Sequence, residues 1–206
     1  TQQILGPLVK LIHSEIADMW AYYEAGFHNL LVVAVEQRYQ KEAMKTALGL
    51  MGMSQLSLTK CIILVSEGTN VRDFDAVMKS VRNNFDPHYD FVMIPKVPLD
   101  TLDFTSFKMN LGSKMILDAT RKGFRGSGFR VQGETDLVSR ISTLKSLDRR
   151  IVDVNLVHDT MLLVKVESLF DKKPEPPTLN PEPTIGMQVL KKLVALPELS
   201  PLKLVA

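Results

Sequence analysis

Lys60-Cys-Ile-Ile-Leu-Val-Ser-Glu-Gly-Thr-Asn-Val-Arg-Asp73 opens the stretch whose reading decides the fold, and the stretch runs on to Lys122. Its first part, Cys61 to Val65, is a short apolar run of strand length. Apolar residues then fall at Val71, Phe74, Val77, Met78, Val81 and Phe85, in steps of three and four, so one face of a helix is buried. Asp86-Pro87 stops that helix, because proline lacks an amide hydrogen and restricts the residue before it. A second apolar run, Phe91 to Ile94, ends at Pro95 and Pro98, and after a loop comes Leu111-Gly-Ser-Lys-Met-Ile-Leu-Asp-Ala-Thr120. Strand, crossover helix, strand is the physical reading, and the crossover rule makes the two strands that flank the helix parallel.

Working outward, Leu5, Leu8, Val9 and Ile12 share a helical face interrupted early by Gly6-Pro7. Ile16 to Tyr23 and Leu30 to Glu36 read as two arms of a hairpin around the turn-like Ala25-Gly26. Gln37 to Met51 is rich in helix formers. The expected fold is a three-layer α/β domain with a mixed sheet. That sheet contains Leu30 to Glu36, Lys60 to Ser66 and Phe91 to Ile94, with the helix from Val71 to Phe85 packed on it.

The downstream part echoes the upstream part. Ile16-Ala-Asp-Met19 and Leu31-Val-Val-Ala-Val-Glu36 are matched by Ile151-Val-Asp-Val154 and Leu162-Leu-Val-Lys-Val-Glu167. A helix-period segment from Ile185 to Leu196 and an apolar Leu202 to Ala206 follow in the same order. A proline-rich joint, residues 174–183, is stiffened toward polyproline geometry. Such short periods are also matched by chance. The organisation expected is therefore a domain over residues 1–122 and an extension over 123–206 that partly repeats a hairpin, helix and strand.

The pieces NVRD, FDPHYD, LDF and LGSKMILDAT, in this order and spacing behind the first strand, resemble the C-terminal domain of the UbiD-type decarboxylases, the prenylated-flavin-dependent polyprenyl-hydroxybenzoate carboxy-lyases. The resemblance runs from about Leu5 to Lys122 and fades beyond Gly123. It implies part of an enzyme that removes carbon dioxide from an aromatic or α,β-unsaturated acid, in ubiquinone or menaquinone biosynthesis. In that family the prenylated FMN, a divalent metal and the catalytic groups sit on the N-terminal, flavin-binding domain. No catalytic residue, cofactor or metal is then expected on this chain alone, which should be inactive in isolation. Its partners would be that flavin domain and further copies in a homo-oligomer. The alternative is a non-catalytic oligomerisation or scaffold module.

Composition bounds the remaining classes. The chain has 206 residues, 45% of them hydrophobic, and a formal charge of +2 from 25 basic and 23 acidic side chains, which argues against dedicated nucleic-acid binding. No apolar run approaches membrane-spanning length, and no secretory leader is visible. A single Cys61 excludes an internal disulfide, so a cytoplasmic protein is the expectation. The four histidines, His13, His28, His88 and His158, lack ligand spacing for a metal.

Among candidate site residues, Asn70, Arg72 and Asp73 carry the family motif and also suit a helix start, where Thr69 or Asn70 can cap and Asp73 places a carboxylate in the first turn. Asp86 and Pro87 read as a helix stop, and Asp118 belongs to the last motif. Ser113 and Lys114, behind Gly112, are candidates for contact with an anion; the other reading is a tight turn entering a strand. Gly123 to Gly128, among arginines, suits an anion site or a surface loop. The loop from Pro98 to Asn110 holds apolar residues without a period, at a strand end where open α/β sheets bind ligands. The family resemblance raises Leu99, Leu102 and Phe104 above the rest as a substrate-pocket wall.

Overall fold

The computed structural model describes residues 2–26, 28–103, 106, 108–121, 144–157, 161–167, 185–196 and 204–205. The chain separates into two compact units, Thr1–Gly128 and Phe129–Ala206.

The first unit runs α1 (Gln2–Ile12), β1 (Ile16–Ala21), β2 (Leu30–Val35), α2 (Glu42–Leu50), β3 (Cys61–Ser66), α3 (Phe74–Asn84), β4 (Phe91–Pro98) and β5 (Leu111–Ala119). Its five strands form one mixed sheet in the order β1-β2-β3-β5-β4. The neighbours β2, β3 and β5 are parallel, and β1 and β4 are antiparallel edges. Strand side chains alternate between faces. Leu31, Val33, Val35, Ile62, Leu64 and Ile116 form one core with Val9 of α1 and Ala43, Ala47 and Leu50 of α2. On the other face α3 packs on β3 and β5, with Val77, Met78 and Val81 buried. Three layers result, as the sequence led us to expect.

The crossover differs from the expectation. The strands flanking α3 are not parallel: β5 pairs with β3 in parallel and lies between it and β4, which runs antiparallel at the outer edge. Proline cannot donate to a ladder, so Pro95 and Pro98 confine β4 to an edge. Its side chains accordingly alternate between exposed and half-buried. The interior place next to it falls to β5, whose Ile116, Leu117 and Ala119 are buried. Gly112, Ser113 and Lys114 are not a turn before that strand but part of it, with Gly112 opposite Val97 and Lys114 opposite Ile94.

Local chemistry sets the element ends. Asp73 caps α3, its Oδ1 accepting from the backbone N–H of Asp75 and Ala76, so the helix begins three residues later than the apolar period suggests. The segment expected to begin a helix at Gln37 starts only at Glu42, because Lys41 takes a left-handed φ of 66°.

The second unit contains β6 (Ile151–Val157), β7 (Met161–Val166), α4 (Ile185–Val194) and β8 (Leu204–Val205). The strands β6 and β7 are antiparallel, and β7 and β8 parallel. Val189 and Leu193 of α4 bury against Ile151, Val154 and Leu162. The glycine and arginine segment 123–128 and the proline-rich joint lie outside the described residues.

Candidate functional site

Two edges of the first sheet bring the motif residues together. At the C-terminal edge of the parallel strands, Asp118 of β5 is 1% exposed and Asp90, in the turn after α3, is fully buried. Lys41 spans both: its Nζ lies 2.7 Å from Asp90 Oδ1 and 3.0 Å from Asp118 Oδ2. The two carboxylates hold the Lys41 ammonium above its ordinary range even though burial opposes this. Asp118 Oδ1 also accepts from the Thr120 hydroxyl, and Thr120 Oγ1 accepts from Gln37 Nε2 at 2.8 Å. Asp86 accepts from the His88 N–H, and its carbonyl accepts from Asp90. Asp86 and Asp118 therefore belong to a polar knot that ties the start of α2, the turn after α3 and β5 together, and Pro87 lies in that turn.

The NVRD residues close the same edge beside β1. Asn70 Oδ1 accepts from the Arg72 N–H at 3.1 Å. The Arg72 guanidinium pairs with Asp18 and lies 4.8 Å over the Trp20 ring. The Tyr22 hydroxyl donates to the Val71 carbonyl at 2.8 Å. Asn70, Arg72 and Asp73 are thus engaged in fixing the start of α3.

A further buried network escaped the sequence reading. Glu15, before β1, accepts from the Thr46 hydroxyl of α2, while Arg38 and Lys45 lie within ion-pair distance. Burial alone would raise the Glu15 carboxyl, but hydrogen bonds from Thr46, the backbone and His13, together with Lys45, hold it at about 2. Thr46 lies 31 residues away on another element, and no local pattern announces it.

The loop after β4 lies at the opposite edge. Because β4 is antiparallel, its C-terminal end meets the N-terminal ends of β2 and β3, not the crevice where open α/β sheets bind ligands. Lys60 Nζ reaches Asp103 Oδ2 at 2.8 Å, and Ser106 Oγ donates to the same oxygen at 2.7 Å. His28 Nδ1 and Asp100 Oδ2 make a second tie. Leu99 is 3% exposed and packs against the place where Gly112 lacks a side chain, within the unit's own interior. Leu102 is 68% exposed. Phe104 lies outside the described residues.

Lys114 is 4% exposed, and its ammonium donates to the carbonyls of Ser57 and Thr59. Burial lowers its pKa. Ser113, next to it on β5, is half-buried. Among the described residues no group of three His, Cys, Asp or Glu side chains could hold a metal ion.

Residues 1–119 match the 3-octaprenyl-4-hydroxybenzoate carboxy-lyase C-terminal domain, also designated UbiD_C. The chain belongs to this family. A protein of Archaeoglobus fulgidus is 37% identical to it over 129 residues, which are 63% of this chain and 27% of the relative. A Chlamydia pneumoniae protein, named as a subunit of 4-hydroxybenzoate decarboxylase, is 33% identical over 132 residues, 64% of this chain and 23% of the relative. The UbiD_C fold is also seen in solved structures. The UbiD-class enzyme HmfF from Pelotomaculum thermopropionicum, in complex with FMN, superimposes with a TM-score of 0.53 at 19% identity, over 67% of this chain and 32% of that one. Vanillic acid decarboxylase from Sedimentibacter hydroxybenzoicus, in its closed form, gives 0.54 at 22% identity, over 68% and 30%. This UbiD_C chain thus spans about a quarter of the length of the curated relatives it matches.

Proposed function

We propose that this chain is the C-terminal, flavin-free part of a decarboxylase that acts on an aromatic or α,β-unsaturated carboxylic acid in quinone biosynthesis. The family match over residues 1–119 carries this reading. The Chlamydia pneumoniae relative, named for 4-hydroxybenzoate decarboxylase, and the fold shared with a vanillic acid decarboxylase support aromatic acids as the substrate class. Prenylated FMN, with a divalent metal, supplies the electron sink for the departing carbon dioxide and is held by the other part of the enzyme. That division agrees with the motif residues of this chain, which are spent on internal ties.

The contribution of this chain is to position and to cover. The polar knot of Lys41, Asp90 and Asp118 and the capped start of α3 make a rigid body. The loop after β4, tied through Asp100 and Asp103, presents Leu102 outward as an apolar contact that excludes water from the reacting carboxylate. The isolated 206-residue chain is then silent.

The test is carbon dioxide release from hydroxybenzoate, naphthoate and cinnamate-type acids, by the protein at its natural length and by the 206-residue chain. Release by the former alone supports the reading. If the flavin-loaded natural-length protein decarboxylated none of these acids, the reading would fail. Leu102→Ala should change relative rates among the acids by about tenfold, the scale expected for losing one apolar pocket contact, with flavin content unchanged. Unaltered kinetics would remove Leu102 from the site.

A further inference from the structure

Among the described residues each sheet has a face that no helix fully covers, and the two are finished differently. In the second unit Leu162, Val164 and Val166 turn toward α4, and the opposite face carries the pairs Asp153 with Lys165 and Asn155 with Leu163. Asp153 and Lys165 are exposed, and Asp153 is paired with Lys145 at 2.7 Å. That face is built for water.

In the first unit α3 has 11 residues and so measures about 16 Å at 1.5 Å per residue. Five strands spaced about 4.8 Å apart make a wider surface than one helix can cover. Ser80 and Asn84 fix the end of α3 at the Ala119 carbonyl, over one end of β5. Along the same face the register places Phe91 beside Leu117, Met93 beside Met115, and Pro98 beside Leu111. Met93 is 55% exposed, Leu111 41% and Phe91 36%, and the turn before Leu111 adds Met109 at 76%. These strand positions carry no charged side chain. Contiguous apolar surface of this kind marks an interaction face, and methionines suit an adaptable one.

The sheet does not grow sideways to satisfy it. On β4, Pro95 and Pro98 lack donors, and Lys96, at φ 58°, sits in the irregularity between Ile94 and Val97. The occupant must lie on the face. We propose that the strip formed by Phe91, Met93, Leu111 and Met115 is the docking face for the flavin-bearing part of the enzyme. This rests on the reading given under Proposed function and names the surface that serves it. The size of that partner is on hand: this chain spans 27% of the Archaeoglobus fulgidus relative and 32% of HmfF, so most of each relative lies outside it. A smaller fraction would suffice to cover the strip.

Methionine oxidation by hydroxyl radicals reads this out without any turnover. The 206-residue chain and the protein at its natural length are oxidised in parallel with free methionine as the standard, and buried Met19 and Met78 report an intact fold. Met93 should react about tenfold more slowly in the natural-length protein, as interface cores exclude water. Met93→Asp in that protein should return Met109 to the rate of the 206-residue chain. Equal Met93 rates in both proteins would overturn the proposal, because the strip then faces water. Met93 protection that grows with the concentration of the 206-residue chain would also overturn it, in favour of a second copy. Either result leaves the carbon dioxide assay to decide the proposed activity separately.

Discussion

Two glycines in the first unit are required by what lies against them. At Gly112 an added Cβ would collide with Leu99 and lie 2.6 Å from Ser106 Oγ. At Gly49 it would lie 2.6 Å from His13 Cε1. Gly112→Ala should therefore cost about 1–3 kcal/mol, the usual penalty for overpacking a filled site. Leu99→Ala should cost about 2–5 kcal/mol through the cavity it leaves. The double variant should lose less than the sum, since each change accommodates the other, and denaturant unfolding of the four proteins measures that difference. Glu15 supplies a pH dependence. Its carboxyl, ordinarily at 4.5, is held at about 2 in the fold. The stability it contributes is fully present above the unfolded value and is lost as pH falls toward 2. Thr46→Val removes the leading hydrogen bond that lowers this carboxyl, so acid unfolding followed by circular dichroism should move to higher pH. An unchanged midpoint would show that His13 and Lys45 suffice.

Between elements, the decisive contact is Lys41 at the start of α2. It neutralises two carboxylates that are 49 and 77 residues away in sequence and almost wholly buried. Lys41→Met would remove this shared ammonium from both. Removing one partner of a buried pair costs about 3–5 kcal/mol, and the low end applies here because the lysine side chain is 35% exposed. Thermal unfolding tests this; a shift no larger than that of an ordinary surface substitution would mean that the other donors to Asp90 and Asp118, the Thr120 hydroxyl among them, hold the knot without Lys41. The elements themselves were largely legible in the sequence. The period of three and four in α3, the hairpin around Gly26, and the short run at Cys61 each describe a segment that buries one or both faces locally. The candidate site was less legible. The burial of Lys114 was not legible, because residue type and a preceding glycine are local facts, while the Ser57 and Thr59 carbonyls that take up the lysine belong to another segment. Leu99 and Leu102 are three residues apart in one loop and have opposite fates, one under Gly112 and one in water, which no period distinguishes.

At the scale of the molecule, the two units each have a core of their own, one around Leu31, Ile62 and Ile116 and one around Leu162, Val189 and Leu193. A chain of residues 1–128 should therefore fold with its cooperative unfolding intact, and with its melting temperature within a few degrees of the first transition of the full chain. A molten or aggregated product would show that the second unit is needed for the first to fold. By itself the sequence determined most of the strands and helices, the stop at Asp86-Pro87 and, through four short motifs in order, the family. These are decided by the chemistry of neighbouring residues, within a few turns or one strand. Only the tertiary structure decided that β5 is inserted between β3 and β4, that the loop after β4 lies at the N-terminal edge of the parallel strands, and that Lys41, Asp90 and Asp118 meet. Strand order and buried ion pairs depend on which distant segments give the lowest free energy when they exclude water together. That is a property of the assembled core, and a local pattern of side chains does not contain it.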